Sequence, residues 1–383
     1  MIIFLLAFAV LLIIGVPISI SIGASAVLGC LSLGYPLVVI GQKMVSGIDS
    51  FLLIAVPLFI LAGNLMNAGK ITEKIFDTAK ELVGWIPGGL GHANVVASVI
   101  FAGMSGSAVA DAGRLGAIEM EAMRKNGYDD DFASAVTASS PVIGPIFPPS
   151  IPLIIYGSVA SVSVDKLFMG GVMPGLLMAL LTILSGSVLG WFTPTEASSI
   201  AVIYSLIIAL LVYKTLTWKS FLKCLKDSAI SSANTLLIIG TSTLFTYVMA
   251  MEGISRQISG FILGLSSNPA IILLTINILL LILGMIMEPG AILTLMLPVL
   301  LPISNGLGLN LVRFGVMIVL NLMIGLVTPP FGVCLFVISD VNKIKLESMY
   351  KSIVLFLIPL IVTLILVTYI PGIVTWLPNA LLA

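Results

Sequence analysis

Ile143-Gly144-Pro145-Ile146-Phe147-Pro148-Pro149-Ser150 returns later in the chain as Ile324-Gly325-Leu326-Val327-Thr328-Pro329-Pro330-Phe331. Both copies interrupt long apolar stretches. Glycine permits a tight backbone turn, and proline fixes φ and removes a donor, so each copy stops a helix. The interval that separates Ile143 from Ile324 also carries Gly103-Met104 onto Gly284-Met285. Two glycine-rich breaks therefore occupy corresponding places in two halves, and paired interruptions of this kind point to a solute site.

Composition supplies the setting. The 383 residues are 59% hydrophobic and only 9% charged, with mean hydropathy +1.22. A soluble domain carries about a quarter of its residues charged, so lipid is the main solvent here. Lys+Arg and Asp+Glu are 17 each, and no basic stripe with aromatic platforms supports nucleic-acid binding. Cys30, Cys224 and Cys334 are scattered and read as small buried hydrophobes. His92 is the single histidine, which disfavours histidine-based catalysis and metal chemistry.

A spanning helix needs about 20 apolar residues. Candidate spans are 2–33, 50–68, 166–190, 194–213, 231–251 and 353–377. The first, with Pro17 inside, has no basic n-region or small-residue cleavage site and reads as a membrane helix. Residues 88–123 and 269–303 each hold two shorter runs around a polar or Gly/Pro turn, as expected of re-entrant hairpins. Residues 132–158 and 311–339 are helices broken at the repeated motif. Irregular backbone at membrane depth is tolerated only inside protein or beside a cavity, so two tips and two breaks should converge internally.

The expected fold is an all-α polytopic membrane protein with an inverted repeat. The first copy is 1–184 and the second 185–383. Amphipathic segments at 70–86 (Ile71, Ile75, Ala79, Leu82 and Ile86 on one face), 214–227 and 340–351 read as interfacial arms. By the positive-inside rule, the ends bearing Lys214, Lys219, Lys223 and Lys226, Lys343, Lys345 and Lys351, and Arg124-Lys125 face the cytoplasm. The weakly charged ends near Ser266 and Asn305 face the other side.

A helix that stops inside the membrane presents partly negative carbonyls at its C-terminus and partly positive amides at its N-terminus. Carbonyls at such breaks can replace the hydration shell of a cation, and amides can hold a carboxylate. The first tip contains Asp111, with Arg114 one turn on; an intramembrane charge is a functional candidate by default. Either the two pair with each other or they face solute. Ser105 and Ser107 offer hydroxyls and carbonyls. Glu288 at the second tip either caps its helix or meets solute or ion. Glu196, after Thr193-Pro194-Thr195, reads as a helix cap. Gly103-Met104-Ser105-Gly106 also has the Gly-x-Ser-Gly form of an intramembrane serine protease nucleophile, but a base must lie within hydrogen-bond reach and His92 is more than ten ångströms away at about 1.5 Å per helical residue.

Phe101-Ala-Gly-Met-Ser-Gly-Ser-Ala-Val-Ala-Asp-Ala-Gly113, Gly116-Ala-Ile-Glu119, Ile143 to Pro152, Phe192-Thr-Pro-Thr-Glu-Ala197 and Leu326-Val-Thr-Pro-Pro-Phe-Gly332 together resemble the large membrane subunit of tripartite ATP-independent periplasmic (TRAP) transporters. The resemblance implies a sodium-driven elevator with transport and scaffold domains in the bacterial inner membrane, and no enzymatic activity. Its implied partners are a periplasmic binding protein, a small membrane subunit as a separate chain, and the lipid bilayer. Ala110-Asp111-Ala112-Gly113 looks like the branch handling sialic acid and related sugar acids, with C4-dicarboxylates next. A stand-alone sodium/dicarboxylate symporter is the alternative.

The family pattern implies one sodium ion at Ser105, Ser107, Gly144 and Pro148, and another at Gly284, Met287, Gly325 and Thr328, with no organic cofactor. Substrate contacts would include Ser107, Asp111, Ser105, Arg114 and Ser150, with Asp111 meeting hydroxyls or water. One departure stands out. Between Leu167 and Thr193 the family has two crossings, and here there is room for one, so residues are expected to be missing near Leu184–Ser185.

Overall fold

The computed structural model describes residues 2–85, 88–105, 107–183, 194–213, 215–266 and 268–382. Every regular element among them is helical. Among the described residues, six helical segments are long and apolar enough to cross a membrane: Phe51–Ala68, Asp130–Ala160, Trp218–Met251, Pro269–Ile286, Pro289–Gly306 and Leu346–Tyr369. The element order is α1 (Ile2–Ile13), α2 (Ile18–Ser32), α3 (Leu37–Ile48), α4 (Ala55–Ala68), α5 (Ile71–Val83), α6 (Gly89–Ser105), α7 (Ala108–Lys125), α8 (Asp130–Ser139), α9 (Ile151–Ala160) and α10 (Val164–Ile183). Then follow α11 (Pro194–Ile207), α12 (Trp218–Met251), α13 (Ile254–Gly264), α14 (Pro269–Ile286), α15 (Pro289–Gly306), α16 (Leu311–Gly325), α17 (Val333–Asn342), α18 (Leu346–Tyr369) and α19 (Gly372–Leu381).

The expected hairpins are α6–α7 and α14–α15. The expected broken helices are α8 and α9, joined through a 3-10 segment Ser140–Ile146, and α16 and α17. The two sets keep register. The interval between the starts of α7 and α15, Ala108 and Pro289, is the same as that between the starts of α8 and α16, Asp130 and Leu311. It is also the interval between the two motif copies. Both copies carry a cis peptide, at Pro148-Pro149 and Pro329-Pro330. Left-handed residues recur too, Ser161 after α9 and Lys343 after α17, with φ of 54° and 56°.

Packing crosses between the sets. Helix α7 lies against α17, and α15 lies against α9. Arg124 forks onto Asp130 at 2.7 and 3.1 Å and donates to the Asn342 carbonyl at 3.3 Å. That contact brings the open end of the first hairpin beside the Asn342–Lys345 turn, two ends expected on one membrane face. The Tyr156 hydroxyl donates to the Leu311 carbonyl at 2.9 Å, so the far end of α9 meets the start of α16.

Several boundaries differ from the sequence reading. The span 2–33 is two packed helices, α1 and α2. Gly15, at φ 84°, closes α1 with bonds from Gly15 N–H to Leu12 and Val16 N–H to Leu11, a left-handed stop that Pro17 makes final. The arm 214–227 and the span 231–251 are one 34-residue helix, α12. No glycine or proline falls between Trp218 and Ile239, so nothing stops propagation over about 33 Å, and the helix continues through Gly240. Segment 340–351 is shared between the end of α17 and the start of α18, and 353–377 breaks at Pro371 before α19. In α5, Ile71 and Ala79 of the expected inward face are buried and Ile75 is half-buried, Thr72 and Phe76 are buried beside them, and Leu82 is exposed, so the inward stripe keeps its start and turns away from Leu82. Ile86, the cap Glu196 and the junction at Leu184–Ser185 lie outside the described residues or side chains.

Candidate functional site

The tip of the first hairpin is set by Ser107, which caps α7 by accepting the Ala110 N–H at 3.4 Å. The second tip is set by Glu288, the equivalent residue of the second copy, which caps α15 by accepting the Ala291 N–H through Oε2 at 3.1 Å. A side-chain acceptor at this position satisfies an otherwise orphaned amide, and each is worth about 1 kcal/mol. Glu288 therefore does perform the capping role.

Both caps open onto one cavity of about 190 Å³. Its wall takes Ser107 to Ala110 and Glu288-Pro289 from the tips. Pro145, Ile151 and Pro152 come from the first break, and Met323 and Leu326 from the second. Helices α4 and α12 close it with Phe59, Ile60, Gly63, Asn64, Ser231 and Thr235. The expected convergence of tips and breaks is thus present, and the polar contribution of α4 and α12 was not visible in the sequence. Nothing in a helical Asn64, Ser231 or Thr235 distinguishes it until the facing helix is known.

Backbone contact holds the second tip to the second break. A Cβ on Gly325 would lie 2.6 Å from the Gly284 carbonyl carbon, and one on Gly284 would lie 3.1 Å from the Leu322 oxygen. Only glycine at both positions allows α14 and α16 this close. Met287 ends α14, donating to Leu283 at 3.0 Å. The Thr328 N–H donates to Gly325 at 3.1 Å, and its hydroxyl donates to Ile324 at 2.7 Å. In the first break, Phe147 N–H donates to Gly144 at 2.9 Å, the same bond at the equivalent position of the motif. Pro148 follows at the cis bond.

A second pair of bonds was also missed. The buried Asn94 of α6 accepts the Ser140 hydroxyl at 2.6 Å through Oδ1. The buried Asn277 of α14 accepts the Asn321 amide at 2.9 Å through Oδ1. Each hairpin is thus tied to its own break by an asparagine, and a buried amide must be satisfied.

Other expected site residues stand apart from the cavity wall. Asp111 is 1% exposed and within electrostatic range of Cys334 on α17 and Glu119 on α7. The Ser150 hydroxyl is fully buried, donates to the Pro145 carbonyl and caps α9 by accepting Leu153 N–H at 3.2 Å. It shapes the break from within. The side chains of Ser105 and Arg114 are not among those described. Ser105 and His92 lie on one continuous helix, about 20 Å apart along it, which removes the protease reading. Among the described residues no group of three or more His, Cys, Asp or Glu could hold a metal ion.

The family model for the "Tripartite ATP-independent periplasmic transporter, DctM component" matches residues 5–185 and 177–373. The chain is 41% identical over 381 residues to the sialic acid TRAP transporter large permease protein SiaM of Vibrio cholerae, covering 89% of each chain. It is 40% identical over 420 residues to the sialic acid TRAP transporter permease protein SiaT of Haemophilus influenzae, covering 99% of this chain and 68% of that one. It is 33% identical over 426 residues to the C4-dicarboxylate TRAP transporter large permease protein DctM of Rhodobacter capsulatus, covering 97% of each. Alignments of 420 and 426 positions exceed a chain of 383, so these relatives carry residues that have no counterpart here. The two family matches meet within 177–185. In fold, the chain is similar to the YdaH transporter of Alcanivorax borkumensis, with TM-score 0.66, 11% identity, and 88% and 89% of the two chains covered.

Proposed function

Because the chain belongs to the DctM family of tripartite ATP-independent periplasmic transporters, as a multi-pass large permease of the inner membrane, we propose that it imports an organic acid through the cavity between its two hairpin tips. The observation that carries this is the meeting of both tips and both breaks at a single cavity, with Ser107 and Glu288 capping the two tip helices beside it. Sialic acid or a related sugar acid is the first candidate solute, since the SiaM and SiaT relatives are named for sialic acid. C4-dicarboxylates come second, from the DctM relative. A periplasmic binding protein delivers the solute, and a small membrane subunit completes the permease.

Sodium is the co-transported ion in this proposal. One site uses Ser105, Ser107, Gly144 and Pro148, and the other Gly284, Met287, Gly325 and Thr328. Both are built from neutral oxygens at helix ends, where partial negative charge favours a cation. The Thr328 hydroxyl donates to Ile324 and so keeps lone pairs for an ion. A carboxylate solute is favoured by the opposite end of the first tip, where the α7 amides carry partial positive charge; at the second tip the Glu288 carboxyl already occupies the α15 end. The tips and breaks move together past α4 and α12 as an elevator.

Reconstituted uptake tests this reading. Proteoliposomes holding the permease and small subunit, with an inward sodium gradient, should take up labelled solute only when the binding protein is present. Uptake at full rate without it would favour a stand-alone symporter instead.

A further inference from the structure

The proposed transport site leaves a buried ionisable group of the first hairpin unused. Glu119 lies within α7, is fully buried, and has two carboxyl oxygens that meet no hydrogen-bond donor. Its neighbours on the helix locate it, since residues three and four apart share a face. Three residues before it, a Cβ on Gly116 would lie 2.7 Å from Ile338 of α17 and 2.8 Å from Thr137 of α8. Four residues after it, the Met123 sulfur lies 4.0 Å from the Asn94 amide nitrogen of α6. Glu119 therefore sits where α7 meets those helices. Asn94 and Thr137 belong to a buried chain of hydrogen bonds. Ser98 Oγ donates to Ser140 Oγ at 3.0 Å, Ser140 to Asn94 Oδ1 at 2.6 Å, and Asn94 Nδ2 to Thr137 Oγ1 at 2.7 Å. That chain is polar but uncharged.

No base balances the carboxyl. The charged group within its electrostatic range is Asp111, of like sign. Arg114 lies five residues away along α7, off the face that Glu119 shares with Gly116 and Met123. The other ionisable groups around α7 are engaged elsewhere. Arg124 forks onto Asp130, and Lys125 pairs with Glu121, at the exposed end of the hairpin. On α5, Lys74 pairs with Asp77, and Glu73, Lys80 and Glu81 are exposed. On α17, Asp340 pairs with Lys343 at the exposed end, and the buried Cys334 faces Asp111. His92 and Asp131 stand in the first turns of α6 and α8. An ionised carboxylate taken out of water without a partner is so costly that such a group takes up a proton instead. Ionisable residues at membrane depth commonly mark ion or proton sites.

We propose that Glu119 is a proton-binding site of the first hairpin: its carboxyl takes a proton from water, keeps it while α7 is packed on α6, α8 and α17, and slows transport when it gives that proton back. As an acid it carries no charge and gains one O–H donor, which suits surroundings of hydroxyl and amide oxygens. The link to transport rests on the proposed uptake. The proton site itself does not, and it is tested without solute.

Infrared spectroscopy of the purified full chain in lipid, at neutral pH, reads the proton directly. The parent should show a protonated-carboxyl band that Glu119→Gln lacks. Uptake in the complete reconstituted system reads the consequence. The amide copies the acid form and cannot lose a proton. The ratio of Glu119→Gln uptake to parent uptake should therefore rise about threefold between mildly acid and alkaline pH, as the parent alone ionises. A merely structural carboxylate would give a lower ratio that does not change with pH. Identical infrared spectra for parent and Glu119→Gln would overturn the proton site. So would a Glu119→Gln chain that fails to fold while Glu119→Asp folds, since the fold would then need the charge. A ratio constant with pH would overturn the link to transport. The infrared band without uptake of any solute by the parent would keep the proton site and remove the transport reading.

Discussion

Glu288 and Ser107 occupy equivalent helix caps with different chemistry. Glu288 places a carboxyl group where a hydroxyl stands in the first copy. Glu288→Ser should keep the cap and hold thermal stability near the parent, while Glu288→Ala should lose about 1 kcal/mol. Both should slow uptake if the carboxyl serves ion or solute binding, and thermal unfolding compared with initial uptake rates separates the roles. Gly325 makes a sharper demand. Gly325→Ala places a methyl group 2.6 Å from the Gly284 backbone, and backbone cannot rotate away. We expect about 1–3 kcal/mol of destabilisation and a raised sodium requirement for uptake. A parent-like Tm and sodium dependence would show that α14 and α16 need not touch. Of these residues, the glycines were legible from their repeat. The cavity polar groups Asn64, Ser231 and Thr235 were not, because a lone polar residue on a helix gives no hint of what it faces.

At the element scale, the breaks and hairpins could be read from Gly and Pro because backbone that stops inside apolar sequence has few alternatives. Helix continuity was harder. The change from charged to apolar residues near Asp227 looked like a boundary, yet α12 passes through it because no residue there opposes a helix. The opposite error occurred at Gly15, where an unbroken apolar run concealed a turn. The Asn94–Ser140 and Asn277–Asn321 bonds show how each hairpin is held to its break. Asn321→Ala leaves the Asn277 oxygen short of a donor in the interior and should cost roughly 1–3 kcal/mol. In a double-mutant cycle with Asn277→Ala the losses should fall well short of additive, as expected for partners in one network. Additive losses would mean the two asparagines stabilise the fold separately.

The whole molecule joins two helix sets whose second hairpin helices exchange partners, α7 with α17 and α15 with α9. Tips and breaks therefore meet at the centre, and α4 and α12 face them across the cavity. In the proposed mechanism the tips and breaks are the moving body and α4 and α12 belong to the stationary one. The most direct measurement is solute protection of the central cavity. Ser231→Cys, with the native cysteines replaced, is labelled in the complete reconstituted system by a membrane-impermeant thiol reagent. The sugar acid or dicarboxylate that supports uptake is then added with sodium and the binding protein. Protection that requires sodium and solute together is the predicted result. Labelling that proceeds at the same rate with saturating solute and sodium as with neither would contradict the assignment of this cavity as the solute site.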